Sequence, residues 1–352
     1  MEEAMTGVIL AGGKGLRLWP ESRRQRPKQL CKLVGDSSML DLTIDRLIMA
    51  GAKQVVIITG DDLLPAIEEL VSQRSDYGSI EILSEPQGRN TAPAVGMVLS
   101  KYLNGASNEI LGIFPADHHV LDTDSFTQSI SLAKNAAEQN YLVTIGITPQ
   151  RPETGFGYIE RSQYEFATLP DVYSVDSFLE KPDQTTAESY LTSGQHMWNS
   201  GIYIGKRDVW MKEFEEHLPD VYHHIIQGWE HYISSYNELP DISLDYGIAE
   251  KSKLMAVVPA DFGWSDLGSW NSLAEIHTSD GSDNVFCGPD VMALDSKNCL
   301  VKQVEKTVVL FGVDDLLLVE TEDLILVAPR QRVQDIRTLV KSLEEKQRHD
   351  LL

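Results

Sequence analysis

The 352-residue chain contains only three cysteines, Cys31, Cys287 and Cys299, and no CxxC pair. So sparse and odd a set argues against a disulfide framework or a zinc knuckle and for a reducing compartment. No apolar run reaches 18 residues, so no membrane span is expected. The opening residues, MEEAMTG, are acidic and lead straight into an apolar stretch, unlike a secretory leader, and a cytoplasmic location is the expectation. Positive charge is scarce: 30 Lys and Arg stand against 53 Asp and Glu, a formal net charge of −23. That balance argues against nucleic acid as a partner and against an anionic membrane surface, since both select basic proteins. The P-loop pattern GxxxxGK[ST] is missing. A GxGxxG pattern starts at Gly13 and Gly15, but Leu18 stands where its third glycine belongs. There is no internal repeat, no low-complexity tract, and no Ser-His or Cys-His arrangement that stands out for nucleophilic catalysis.

Against this acidic background, residues 14–32 hold seven cations: Lys14, Arg17, Arg23, Arg24, Arg26, Lys28 and Lys32, with Glu21 the only acid among them. They follow an apolar run, Val8 to Leu10, short enough for a buried strand, and the turn Gly12-Gly13-Lys14-Gly15. Glycines let backbone N–H groups close on a ligand, and fixed positive charge next to them suits spread negative charge, so the stretch reads as a polyphosphate cradle. A tight strand-to-helix turn beside a solvated basic face is the plainer account. A local positive site on an acidic protein fits a small anion drawn into one cleft.

Strand-like and helix-like runs alternate with short connections as far as residue 147. Strands are expected at 54–59, 80–83, 109–114 and 141–147, and helices at 39–50, 61–73, 90–103 and 124–138. This order predicts an α/β fold: a doubly wound, mostly parallel, Rossmann-like sheet with ligands at the carboxyl ends of its strands. Beyond 150 the order loosens, with strands at 157–160, 172–180, 200–204 and 253–259 and helices at 184–193, 207–216, 243–251 and 268–276. TSDGSDN at 278–284 reads as a boundary. We expect one domain over 1–280, with a nucleotide-binding part at about 1–150 and a second lobe at about 151–280. Residues 281–352 should form a small β domain closed by an amphipathic helix over 330–348, with Val333, Ile336, Val340 and Leu343 on its apolar face. That face docks on its own β domain or on a second subunit, so a homodimer stays open.

Several loops combine residues in chemically suggestive ways. EPQGRNTAP at 85–93 follows a strand and opens a helix. Asn90 or Thr91 explains a cap, and the company of Glu85 and Arg89 suggests base recognition. Asp117 follows an apolar strand and can hold Mg²⁺, or merely cap a turn. His118 and His119 are adjacent in an extended segment and should point opposite ways, so no His-bound metal is expected. PETGFGY at 152–158 is compatible with a hairpin turn. Glu180 and Lys181 close a strand, Asn199 starts one with a side chain suited to sugar hydroxyls, and Asp266 sits in DFGWSDLGSW, where Ser265 or Asp266 can cap a helix.

Taken in order, these stretches resemble one family, the mannose-1-phosphate guanylyltransferases of the sugar-nucleotidyltransferase superfamily. The likeness rests on LAGGKGLRLWP at 10–20, RPKQL at 26–30, EPQGRNTAPA at 85–94, FPADHHV at 114–120, PETGFGYIE at 152–160, FLEKP at 178–182, WNSGIY at 198–203 and GWSDLGSW at 263–270. It covers about residues 7–276. Glu21 replaces a usual leucine and Leu30 a common phenylalanine, neither of them a functional side chain. The resemblance implies a Mg²⁺-dependent transfer that joins GTP to mannose 1-phosphate by in-line attack on the α-phosphorus. It implies that Leu10, Ala11, Gly12, Gly13, Lys14 and Gly15, with Arg17, hold the triphosphate and that Lys28 neutralises phosphate. It implies that Glu85, Arg89, Asn90 and Thr91 lie near guanine and ribose. Gly157, Glu180, Lys181 and Asn199 would hold the sugar, and Asp117 and Asp266 the metal. Longer bacterial members carry an added sugar-phosphate isomerase domain. The sequence after 284 is too short for it, and no isomerase activity is expected. The same chemistry on another hexose 1-phosphate or nucleotide, a non-catalytic nucleotide-sugar-binding regulator and a nicotinamide oxidoreductase are the rival readings.

Overall fold

The computed structural model describes residues 5–13 and 15–352. The chain clusters into two compact units: one of Met1–Gly12, Thr43–Ala116 and Val120–Trp264, the other of Gly13–Leu42, Asp117–His119 and Ser265–Leu352.

The first unit is built on nine strands. Strand and helix alternate through β1 (Met5–Leu10), α1 (Met39–Met49), β2 (Ala52–Gly60), α2 (Leu64–Ser72), β3 (Ile80–Glu85), α3 (Thr91–Lys101), β4 (Ile110–Pro115), the short β5 (His119–Val120), α4 (Thr123–Glu138) and β6 (Leu142–Ile147). Then come β7 (Gly157–Phe166), β8 (Leu169–Glu180), α5 (Gln184–Ser193), β9 (His196–Lys206), α6 (Arg207–His217), α7 (Pro219–Ile225), α8 (Trp229–Ser234) and β10 (Met255–Ala260). The strand order is β3-β2-β1-β4-β9-β6-β10-β8-β7. β1, β2, β3 and β4 pair in parallel, as do β6 and β10, while β9 and β8 run against their neighbours. The sheet is therefore mostly parallel, as its sequence predicts. Its inner strands are continuous apolar runs rather than alternating ones, because helices cover both faces: Val8 and Ile9 are 0% exposed.

α4 shows how the local code works. Asp122 caps it by accepting from the Asp124 and Ser125 N–H groups, and Phe126, Ile130, Ala133 and Ala137 recur at helical spacing on its buried side. Burying Phe126 and Ile130 contributes roughly 1.5–3 kcal/mol each. The stretch 217–239, to which the sequence reading assigns no element, holds the short α7 and α8. Val221, Ile225 and Tyr232 from these helices enter the same core as Val95 and Val98 of α3.

The second unit contains α9 (Trp270–Glu275), which follows the short strand β11 (Trp264–Ser265), and then six strands: β12 (Val285–Cys287), β13 (Val291–Leu294), β14 (Leu300–Lys302), β15 (Val308–Phe311), β16 (Leu316–Glu320) and β17 (Ile325–Pro329). These are stacked rungs, a finer order than the small β domain expected. β12 pairs in parallel with β14 and β14 with β16, while β13 pairs in parallel with β15. Parallel neighbours 15–17 residues apart, such as Val285, Leu300 and Leu317, put equivalent side chains over one another and build an apolar interior. The terminal helix differs from the expectation at its start: residues Arg330–Asp335 form 3-10 turns, and α10 (Ile336–Glu345) begins only after them. Val333, Ile336 and Val340 bury against Leu18, Trp19, Leu33, Trp270 and Leu317 of the same unit, so its apolar stripe docks on its own chain.

Candidate functional site

In the second unit, Gly15 has φ +51°, and a Cβ there would lie 2.6 Å from the Lys28 Cβ and 3.1 Å from the Lys28 backbone nitrogen. Only glycine allows both that torsion and that approach. Gln29 donates to the Gly13 carbonyl at 3.0 Å and fixes the same turn. Lys28 is thereby packed in place, 5% exposed. Its ammonium donates to the Asp117 carboxylate at 2.8 Å and to the Asp266 carbonyl. Burial works to raise the Asp117 carboxyl, but the Lys28 ammonium, helped by His118, outweighs it and holds the group below its usual value. The Asp266 carboxylate accepts the Gly268 N–H at 3.0 Å. It is not a helix cap: Ser269 caps α9, accepting from the Ser272 N–H at 3.2 Å.

Gly15, Arg17, Lys28, Asp117, His118 and Asp266 all line one cavity of about 630 Å³. Its wall is completed by Arg337, Lys341 and Glu344 of α10. Sequence reasoning missed these three because it read the helix only for its apolar stripe. Two cations at i, i+4 on the polar face of the last helix were the available signal. Not every cation of residues 14–32 faces the cavity. Arg23 pairs with Asp323, Arg24 with Glu344 and Arg26 with Glu21, so part of that basic density fastens the second unit together. Lys14 lies outside the described residues.

In the first unit, β1 runs into Leu10, Ala11 and Gly12, and the Ala11 N–H donates to the Ile58 carbonyl at 2.7 Å. Glu85 ends β3, and a Cβ on Gly12 would come within 2.6 Å of its Oε1. Burial pushes the Glu85 carboxyl up, although the Tyr236 O–H donates to it at 2.8 Å. Asn90, at φ +67°, caps α3 by accepting the Thr91 N–H, and its amide donates to Asp241 at 3.2 Å. The Thr91 hydroxyl accepts the Leu244 N–H at 2.8 Å. Arg89 donates to the Asn237 carbonyl.

A second glutamate is seated in the same manner. A Cβ on Gly157 would lie 2.6 Å from the Glu180 Oε2. Glu180 is buried and pairs with the Lys181 ammonium at 2.6 Å. Burial, then the neighbouring Asp245 charge, raises its carboxyl pKa against the pull of Lys181. The Asn199 amide is engaged on all sides: it donates to the Tyr203 hydroxyl at 2.9 Å and Asp245 at 3.0 Å and accepts from Thr144 at 2.9 Å. Asn199 thus anchors a polar network, and it lies within β9, which begins three residues earlier at His196, rather than at the strand's start.

One segment, 241–250, ties the Glu85–Thr91 loop to this network, where the sequence predicts only a helix over 243–251. Asp241 meets Asn90, Leu244 meets Thr91, Asp245 meets Asn199 and Tyr203, and Glu250 accepts the Glu180 N–H at 2.8 Å. Residues Asp245–Ala249 form a π-type turn, closed by the Glu250 N–H on the Asp245 carbonyl at 3.0 Å. That wider turn brings residues five apart onto one face, so Asp245 and Glu250 both address the network. Asn90, Lys181 and Leu267, next to Asp266, all have positive φ, a strain that collects at working sites.

Residues 6–282 match the family model described as nucleotidyl transferase, and 289–343 match one described as MannoseP isomerase/GMP-like beta-helix domain. The chain belongs to the nucleotidyl transferase family. Alginate biosynthesis protein AlgA of Pseudomonas aeruginosa is 38% identical over 98% of this chain and 73% of its own length. Mannose-1-phosphate guanylyltransferase of Salmonella montevideo is 38% identical over 98% of this chain and 75% of its own. A crystal structure described as mannose-1-phosphate geranyltransferase from Thermus thermophilus superposes with TM-score 0.88 at 32% identity, over 98% of this chain and all of that one.

Proposed function

We propose that this chain makes GDP-mannose and pyrophosphate from GTP and mannose 1-phosphate. An oxygen of the sugar phosphate forms a bond to the α-phosphorus of GTP, the bond from that phosphorus to the oxygen bridging the β-phosphate breaks, and the electron pair leaves with pyrophosphate. Such a transfer needs reactants held in line and charge neutralised, and no protein nucleophile. The observation that carries the reading is the buried Lys28 ammonium, packed against Gly15 and lining one cavity with Arg17, Asp117 and Asp266. Lys28 and Arg17 neutralise phosphate oxygens there, and Arg337 and Lys341 add charge for the leaving pyrophosphate. The relatives named for this reaction, similar over nearly the whole chain, support the choice of substrates.

Two carboxylates on the cavity, Asp117 and Asp266, fit Mg²⁺, no thiolate lines it, and a cation, the Lys28 ammonium, is already held by Asp117 and the Asp266 carbonyl. Asp117 and Asp266 would hold the ion, which when bound neutralises charge on the phosphates. Glu85, with Arg89, Asn90 and Thr91, reads the base and ribose. Glu180 and Lys181 bind sugar hydroxyls, Asn199, expected among the sugar ligands, orders the network behind them, and Gly157 leaves room for Glu180. We take residues 1–280 as the catalytic part and 281–352 as its support.

The test is pyrophosphate release with GTP and mannose 1-phosphate, with and without Mg²⁺, beside UTP, dTTP and glucose 1-phosphate. Release confined to the GTP and mannose 1-phosphate pair is expected. Equal or faster release with another pair would overturn the substrate choice, and none with any pair would overturn the reaction.

A further inference from the structure

We infer that α6 carries a second, separate cation site of the Zn²⁺ class, formed by Glu213, Glu216 and His217. The three stand at i, i+3 and i+4, so they share one face of the helix. One ligand atom from each lies within 4.8 Å of the other two. Their burial is graded: Glu213 is 1% exposed, His217 half-buried and Glu216 exposed.

Spacing on an acidic helix would be weak support by itself. Glu213 supplies the independent observation. Among the described residues, none donates a hydrogen bond to its Oε2. The His217 Nε2 stands 3.6 Å from it, an ion-pair distance but beyond hydrogen-bond reach. A carboxylate oxygen so deeply buried is costly unless something answers it.

A metal ion would collect lone pairs from all three groups. With bonds of about 2.0–2.2 Å, a tetrahedral ion draws its ligand atoms to roughly 3.3 Å from one another. The present separations need only a modest inward swing, and the exposed Glu216 side chain is free to make it. A set of one imidazole and two carboxylates suits Zn²⁺ and its neighbours, whereas Mg²⁺ and Ca²⁺ ask for oxygen throughout. Trp210 and Phe214 hold the helix in the core of the first unit, so the site is on a fixed backbone. None of the three residues belongs to the cavity or to either glutamate network described above.

The test uses the full chain, stripped with a chelator and titrated with Zn²⁺ against a chromophoric competitor. We expect one equivalent bound with a Kd of micromolar order. Glu216→Gln, at an exposed position that leaves the core alone, and His217→Gln should each weaken it by more than the ~10-fold that loss of an outer-shell partner costs. Asp117→Asn should leave that equivalent in place, as should Cys287→Ser. Co²⁺ should give visible absorption bands in the parent and not in His217→Gln. The site is refuted if no equivalent binds in this range, if binding is unchanged in both helix variants, or if it is lost in Asp117→Asn or Cys287→Ser instead.

Discussion

Lys28 is 5% exposed, and its ammonium reaches two groups that the sequence keeps far apart, Asp117 and the carbonyl of Asp266. Lys28→Met keeps the stem and removes the charge. Turnover should fall on the order of a hundredfold, about 3 kcal/mol in the barrier, with the fold retained by circular dichroism. Arg17→Ala, at an exposed position, should do the same, and near-parental rates in both would remove the phosphate role. Glu85 makes a prediction about pH. Its folded pKa lies above the ordinary value, so the folded state holds its proton more tightly than the unfolded chain does. The stability this contributes is complete below the unfolded value, about 4.3, and is lost as pH rises through the folded one. Denaturant titrations should therefore show Glu85→Gln gaining on the parent as pH rises from about 4 to 7, and a constant difference would contradict the assignment. At this scale much was legible. Asp117, Glu85 and Glu180 were named from strand ends, and Lys28 from the RPKQL stretch of the resemblance. Asp245, Glu250 and Tyr236 were not, because contacts between residues so distant in sequence leave no local pattern.

The same contrast recurs among the elements. The parallel strands were legible because each is a short apolar run between turn residues, and the family read from the motifs is the one that the chain matches. The antiparallel place of β9 was not, since periodicity does not encode direction, and neither were the rungs of the C-terminal strands, whose pairing is non-local. The segment 241–250 escaped because a π-type turn shares the composition of a helix. Asp245→Asn should raise KM for mannose 1-phosphate more than KM for GTP, because Asp245 faces Asn199 and Glu180. Equal changes in both constants would count against its place on the sugar side. Arg23 gives the element-level test of the basic segment. It holds Asp323 at 2.5 Å and draws that carboxyl down to about 2. A depressed carboxyl contributes stability above its unfolded pKa and loses it as pH falls through the folded one. Asp323→Asn should thus lower the denaturant midpoint at pH 7, and the deficit should shrink between about pH 4 and 2. A deficit independent of pH would mean that the pair contributes no charge interaction.

For the whole molecule, the C-terminal residues are more than an appendage. Leu18, Trp19 and Leu33 share one core with Leu300, Leu317, Val333 and Ile336. A chain ending at residue 284 would keep the full nucleotidyl transferase match, yet it would expose that core. It should be insoluble or lack a cooperative thermal transition, and a soluble product with parental turnover would show that the cluster is dispensable. The partition of the backbone carries a wider consequence. The chain passes between its two units at Gly12–Gly13, Leu42–Thr43, Ala116–Asp117, His119–Val120 and Trp264–Ser265. Neither unit is a continuous stretch of polypeptide. No single proteolytic cut can release one from the other, and no fusion junction can exchange one alone. Recombination between relatives would have to inherit residues 13–42, 117–119 and 265–352 from the same parent, so for this protein the heritable module is a set of three separated segments.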